Sequence, residues 1–517
     1  MTDTTIRKDT LDKDLDKLVH VEEATAVVAR PLVAPGIALL FIAMSAVFAS
    51  VYVFDEPRAV LIVAAAAIGG YMALNIGAND VANNVGPAVG AKALTMGGAL
   101  VIAAIFESAG ALIAGGDVVG TISSGIVDPA NFENPEIFIR LMLAALISSA
   151  LWINLATWIG APVSTTHAVV GGVLGAGVTA AGFATVNWAV MGAIAASWVI
   201  SPFLGGLIAA VFLALIKTAI IYQDDKIAAA RRWLPLLIAI MAGTFAAYLA
   251  SKGLRRVVSL STTSITALGI GSFLAVWLAA HFYIARRAIG LENRNQSLRA
   301  LFSVPLIFAA ALLSFAHGAN DVANAIGPVA AIVQVAHSSE VTTAVAIPFW
   351  VMVIGALGIS FGLVLFGAKL IHMVGEQITK LNPMRAFCVA LSAALTVIVA
   401  SALGMPVSST HIAVGAVFGV GFFREWYTTN SSRRRRYMER KNAAHRAARE
   451  QSSEDQVASA AKLDDDLDAA PASSEEIRRR RLVRRAHVTT IAAAWVTTVP
   501  AAALLSALIF LALSLFA

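Results

Sequence analysis

The chain has 517 residues, 58% of them from the class AVILMFWYC and only 14% charged. With its 38 glycines the apolar share reaches about 65%, against about 45–50% in soluble domains, and mean hydropathy is +0.77. Apolar runs of 18 or more residues recur along most of the sequence, which excludes a soluble enzyme, a disordered chain and a coiled coil. The fold class expected is an all-α polytopic membrane protein, because the short alternating segments of a bacterial-type barrel are absent. The net charge of +6 and pI near 9.5 do not point to nucleic acid, since the basic residues collect in loops beside apolar runs, where they set topology. The single cysteine, Cys388, sits in an apolar stretch; it excludes a disulfide framework and a thiolate cluster and reads as a buried small hydrophobe.

Residues 1–32 are largely polar, with Asp12, Lys13, Asp14, Asp16 and Lys17, and read as a cytoplasmic extension rather than a signal peptide. Apolar stretches follow at 33–54, 58–95, 97–115, 138–160, 161–182, 187–216, 233–251, 263–285, 301–336, 342–367, 384–404, 405–423 and 488–516. Two of them, 58–95 and 301–336, exceed the about 20 residues of one straight span and carry Gly/Asn/Asp/Pro-rich centres, so interrupted helices are expected there. The organisation read from this is an extra helix at 33–54 and a first repeat at 58–216. A connecting region at 217–300 with two helices and a second repeat at 301–423 follow, then a basic, disordered cytoplasmic loop at 424–487 and a last helix at 488–517.

Counting one crossing per stretch from an inside start, the basic segments 217–232, 286–299, 368–385 and 424–486 fall inside, and the acidic 116–137 loop falls outside. The runs Arg433–Arg436 and Arg478–Arg481 give the strongest vote. Lys252, Arg255 and Arg256 fall outside, against the rule.

Two motifs recur. Gly77-Ala78-Asn79-Asp80-Val81-Ala82-Asn83-Asn84-Val85-Gly86-Pro87 returns as Gly318-Ala319-Asn320-Asp321-Val322-Ala323-Asn324-Ala325-Ile326-Gly327-Pro328, and Pro162-Val163-Ser164-Thr165-Thr166-His167 returns as Pro406-Val407-Ser408-Ser409-Thr410-His411. The two pairs keep the same order at nearly the same offset, so the chain is internally duplicated. By the crossing count the copies of the first motif lie seven crossings apart. Seven is odd, which predicts inverted-topology repeats with broken helices and re-entrant or hairpin segments, the plan of secondary transporters.

The chemistry of the motifs suits an oxyanion and a cation. Ends of a broken helix expose N–H groups on one side and C=O groups on the other. Asn79, Asp80, Asn320 and Asp321 are therefore candidates for the coupling cation, with Na+ at Asp80 and Asp321, or for accepting a proton from a protonated oxyanion. An Asp inside an apolar span is costly enough to favour function over simple helix capping. Glu107, in an otherwise apolar span, is a further cation-coupling candidate. Ser164, Thr165 and Thr166, with Ser408, Ser409 and Thr410, place three hydroxyls in a row where a helix would begin, a neutral cradle for a tetrahedral oxyanion. Asp80, Asn83, Asp321 and Asn324 are read as joining that cradle. The alternative for the hydroxyls is back-bonding to helix carbonyls or close helix packing. His167 and His411 could orient the hydroxyls or relay protons; His317 stands beside only the second motif, with Ile76 at the matching place in the first.

With these residues the sequence resembles the inorganic phosphate transporter (PiT) family, over 58–216 and 301–423 plus the last span. The resemblance implies phosphate import by symport with Na+ or H+, with phosphate held between the halves by the Ser/Thr and Asn/Asp motifs. The family's Glu downstream of the first motif matches Glu107. Asn83-Asn84 stands where the family's common form has Asn-Ala, and the helix at 33–54 and the basic loop are additions to the usual plan. No cofactor beyond the coupling ion is implied, and the expected location is the plasma or inner membrane. Rival readings are a sulfate permease of the same fold, an anion channel, and an intramembrane hydrolase using Ser164 or Ser408 with the neighbouring His as base. Phosphate still carries donor hydrogens near neutral pH, which Asp oxygens accept, and this favours it over sulfate. The sequence leaves Na+ against H+, free phosphate against a metal–phosphate complex, and monomer against homo-oligomer open.

Overall fold

The structure is a computed structural model, and it describes residues 32–56, 58–132, 134–161, 163–254, 258–337, 347–377, 381–432, 436–437, 440 and 485–515. The N-terminal extension, Pro162, Arg255, Arg256 and most of the 424–487 segment lie outside the described residues. Fourteen helices carry the description: α1 Leu32–Val53, α2 Ala59–Asn79, α3 Ala82–Gly90, α4 Met96–Ala114, α5 Pro135–Ile159, α6 Thr165–Ala181, α7 Trp188–Ile216, α8 Lys226–Lys252, α9 Thr262–Arg287, α10 Asn295–His337, α11 Phe349–Gln377, α12 Pro383–Ala402, α13 Ser409–Asn430 and α14 Arg485–Leu515. Short one-turn segments at Gly116–Gly120 and Thr121–Gly125 follow α4.

Among the described residues, eleven helices are long and apolar enough to cross a membrane, and they coincide with eleven of the thirteen apolar stretches. The other two stretches are α6, only 17 residues long, and α13. Both begin on a Ser/Thr motif. Each packs back on the helix before it, α6 on α5 and α13 on α12, so the motifs sit at the tips of two helical hairpins. Gly160 and Gly404, at φ 77° and 68°, reverse the chain after α5 and α12 in the left-handed region that a side chain disfavours.

The interruption expected in the first long stretch is mild, and in the second it is absent. Asp80 and Val81 keep right-handed helical angles between α2 and α3, with Asn83 N–H bonded to Asp80 O and Asn84 N–H to Val81 O in one tight turn. The α10 helix runs unbroken for 43 residues through Gly318–Pro328. The glycines serve close approach instead of a break: a Cβ on Gly77 would collide with the Ile359 backbone in α11, and one on Gly318 with the Glu107 backbone in α4. Free helix N-termini are supplied by the hairpin tips.

These contacts are reciprocal. α2 packs on α11 as α10 packs on α4, and α7 packs on α13 as α14 packs on α6. Residues matched by the duplication exchange partners: Gly77 faces Ile359 and Gly318 faces Glu107, while Ser108 and Ser360 meet each other at 2.7 Å. Ser108 Oγ donates to Ala356 O and Ser360 Oγ to Ala104 O. α8 and α9 form a hairpin of their own between the halves, and α9 keeps most of its surface outward. The α1 helix lies on the outside, touching the bundle through Phe41 on Phe361 and Tyr52 on Trp350.

Candidate functional site

The two hairpin tips and the two Asn/Asp motifs converge in the interior. Ser164 and Ser408 adopt extended backbone and cap α6 and α13, each Oγ accepting the backbone N–H of the His three residues on, at 3.1 and 3.2 Å. This leaves Thr165, Thr166, Ser409 and Thr410 in the first turn of their helices, with hydroxyls turned toward the motifs on α2, α3 and α10. All of these side chains, with Asp80, Asn83, Asp321 and Asn324, are at most 2% exposed.

Thr165 Oγ1 donates to Asp80 Oδ2 at 2.7 Å, and Ser409 Oγ donates to Asp321 Oδ2 at 3.0 Å, each hydroxyl serving the carboxylate of its own half. The amides cross over: Asn83 Nδ2 donates to Thr410 Oγ1 at 3.0 Å, and Asn324 Nδ2 to Thr166 Oγ1 at 3.1 Å and Thr165 Oγ1 at 3.2 Å. Thr410 Oγ1 also reaches Asp80 Oδ1 at 3.1 Å, and Thr166 Oγ1 donates to Val407 O of the opposite tip. Buried Oδ1 atoms of Asn83, Asn324 and Asp321 have no hydrogen-bond partner in the protein. Lone pairs left in this way suit either a hard cation or the hydrogens of a protonated oxyanion.

Asn79 and Asn320 hold the tips in place. Asn79 Nδ2 donates to Thr157 Oγ1 and Ala161 O, and Asn320 Nδ2 to Ser401 Oγ and Met405 O, matched contacts in the two halves. Their amide groups therefore support the hairpin ends, while Oδ1 of each is buried without a hydrogen-bond partner. Thr157 and Ser401 were not singled out from the sequence, although two hydroxyls at the repeat offset were there to be found.

His167 and His411 approach edge to face across the two halves, ring centroids 4.4 Å apart, with Trp198 at 3.9 Å from His167. Trp198 Nε1 donates to Pro406 O, tying α7 to the opposite tip. The rings pack against one another, and the Ser164 and Ser408 oxygens accept the backbone N–H groups of the same two histidines.

Glu107 is fully buried on α4 and does not touch the cradle directly. Its Oε1 accepts from Asn84 Nδ2 at 2.8 Å, and its Oε2 lies 2.7 Å from His317 Nδ1. The other ring nitrogen, Nε2, is 3.1 Å from Asp321 Oδ2, an ion-pair distance without hydrogen-bond alignment. Asp80, His317 and Asp321 each place a ligand atom within 4.8 Å of the others. His317, which stands beside only the second motif and has Ile76 at its matching place in the first, is thus central to the site.

A model of the phosphate transporter family matches residues 76–506. A Helicobacter pylori protein named "putative phosphate permease" is 53% identical over 415 residues, covering 80% of this chain and 78% of its own length. A relative of the same name from Haemophilus influenzae is 36% identical, with 69% of this chain and 87% of its own length covered. A solved structure described as the sodium-dependent phosphate transporter superposes with a TM-score of 0.73 at 33% identity, covering 89% of this chain and all of the other.

Proposed function

The chain belongs to the phosphate transporter family, and from that premise we propose that it imports inorganic phosphate by symport with Na+, through alternating access between two inverted halves. The observation that carries the reading is the crossed pair Asn83–Thr410 and Asn324–Thr166. Matched residues of the two halves reach over one another to complete a single buried site. A transporter that exchanges the conformations of its halves requires such a site at their junction.

Phosphate fits the donor and acceptor set. Hydroxyls and the N-termini of α6 and α13 offer donors to its oxygens, and carboxylate oxygens accept the hydrogens it keeps near neutral pH. No Arg or Lys contributes to the cradle among the described residues. A neutral set of donors binds without the hold of a bidentate guanidinium, which suits a ligand that must leave again. Two buried carboxylates facing an anion need positive charge to accompany it, which is the role of the cation. The choice of Na+ over H+ is supported by the description of the structurally similar protein as sodium-dependent.

The test is radiolabelled phosphate uptake by cells expressing the chain, with Na+ replaced by choline and excess unlabelled sulfate in a parallel arm. Saturable uptake that falls with Na+ and ignores sulfate is expected. Uptake suppressed by sulfate would refute phosphate as the preferred substrate, and uptake indifferent to Na+ would refute the coupling ion.

A further inference from the structure

The two halves match at almost every polar position of the site, and they differ at one cluster. Because Gly77 packs on Ile359 as Gly318 packs on Glu107, Ile359 is the counterpart of Glu107. The repeat places Ile76 opposite His317 and Ala325 opposite Asn84. One half therefore holds the chain Asn84–Glu107–His317–Asp321, every member at most 1% exposed, and the other holds Ala325, Ile359 and Ile76 beside Asp80.

Both oxygens of Glu107 are occupied inside this chain, Oε1 by Asn84 and Oε2 by His317. The imidazole stands between Glu107 and Asp321, and its Nδ1 position is set by the Glu107 contact. Asp321 thus has a side chain able to carry positive charge at 3.1 Å, with Oδ1 still lacking a hydrogen-bond partner. Asp80 has apolar Ile76 in that place; its carboxylate accepts hydrogen bonds from hydroxyls, Thr165 of its own half and Thr410 of the other, while a His317 nitrogen and an Asp321 oxygen lie within 4.8 Å without bonding to it. Hydroxyls rotate and can turn their oxygens toward an ion, so Asp80, Thr165 and Thr410 converge on one point as hard oxygen ligands.

Resting on the symport reading above, we infer that the two carboxylates divide the work: Asp80 binds the coupling cation, and Asp321 receives phosphate. In this division Glu107 and Asn84 are positioning residues that act through His317 and are not cation ligands. This departs from the sequence-based expectation that Glu107 couples the cation. It also gives a role to Asn84, where the family's common motif has Ala.

The experiment compares Na+ binding and phosphate binding in the full-length chain purified in detergent, read as the shift in Tm with NaCl (choline chloride as control) and with inorganic phosphate at fixed NaCl. The variants are Asp80→Asn and the double variant Glu107→Ile with His317→Ile, which copies the other half and removes the paired carboxylate and imidazole together, leaving Asp321 with Ser409 alone. Asp80→Asn is expected to raise the half-saturating Na+ concentration tenfold or more. The double variant is expected to leave it within about twofold while raising that for phosphate tenfold or more. A single Glu107→Ile is expected to impair phosphate binding more than the double variant does, because it strands His317. If Asp80→Asn does not yield monodisperse protein, Thr165→Ala, which removes a hydroxyl from Asp80 Oδ2, replaces it. The inference stands if the Asp80 or Thr165 variant raises half-saturating Na+ more than the double variant, and it is overturned if the double variant raises it equally or more. A wild-type protein that transports no phosphate and shows no Na+-dependent shift would overturn the symport reading itself, which separates the two failures.

Discussion

Asn83 of the first half donates to Thr410 of the second across 3.0 Å, and its repeat counterpart Asn324 returns the contact to Thr166 at 3.1 Å. Each bond joins the two halves of the duplicated chain, so under the proposed alternating access each is remade or broken in every cycle. Replacing Asn83 by Ala removes one such bond and replacing Asn324 by Ala removes two, to Thr165 and Thr166, at about 1 kcal/mol for each neutral pair, and each leaves a buried hydroxyl short of a partner at a further cost of about 1–3 kcal/mol. A rise of tenfold or more in half-saturating phosphate is expected for Asn83→Ala and for Thr410→Ala. In the double variant the effects should fall short of their sum, since they remove the same contact. Initial uptake rates over a phosphate series check this; strictly additive effects would show that the two residues act apart.

Asp80→Asn, Asp321→Asn and Thr166→Ala should each abolish phosphate uptake with little loss of protein in the membrane. The substitutions keep or reduce volume in a site whose oxygens face one another, and removing a buried carboxylate relieves a cost of about 2.5–3.5 kcal/mol of insertion. Uptake normalised to membrane-extracted protein is the measurement. Near-normal transport by all three would sink the site assignment.

Gly77 and Gly318 permit close helix contacts in the two halves, where an added Cβ would collide with a neighbouring backbone. Gly318→Val should force α10 away from α4, where overpacking costs about 1–3 kcal/mol and more when backbone cannot yield. Gly97, at an exposed start of α4 with nothing within 4 Å of an added Cβ, is the control position. Fluorescence size-exclusion profiles should show loss of the monodisperse peak for Gly318→Val and not for Gly97→Val; equal profiles would contradict the close approach.

Lys252 departs from the charge rule by falling outside, and the structure supplies a partner: its Nζ is 2.7 Å from Asp117 Oδ2, with the Lys and Asp side chains 19% and 34% exposed. An acidic loop that lies outside by the same count holds the basic residue there. A pair this open to solvent contributes at most about 1 kcal/mol, so Lys252→Ala should cost little stability. The topology is the sharper prediction. Lys252→Cys should react with a membrane-impermeant maleimide added to intact cells, and Arg294→Cys only after permeabilisation, with buried Cys388 silent in both. The reverse labelling pattern would invert the whole crossing count.

Hydropathy located most helices because the lipid-exposed and core-facing residues of a span are apolar alike, and the duplication pointed to the residues that meet in the site. Two features were hidden for physical reasons. Gly-Ala-Asn-Asp in an apolar run signals a helix break and a tight helix crossing equally well, and only the neighbouring backbone of α4 and α11 decides for the crossing. His317 looked unimportant because its matching residue is Ile76; its meaning depends on Glu107, 210 residues away in sequence, and on Asn84, whose departure from the family pattern could be read only once its amide was seen on Glu107. Trp198 carried no motif at all, and its place beside His167 comes from α7 crossing the opposite hairpin tip.

The most direct measurement of the central claim is radiolabelled phosphate uptake into proteoliposomes holding the purified chain, under an inward Na+ gradient, an inward proton gradient, or neither. The account predicts saturable accumulation above equilibrium with the Na+ gradient alone, undiminished by excess sulfate and lost in Asp80→Asn. Flux that is non-saturating and proceeds equally without any gradient would make the chain a passive anion pathway and contradict the account.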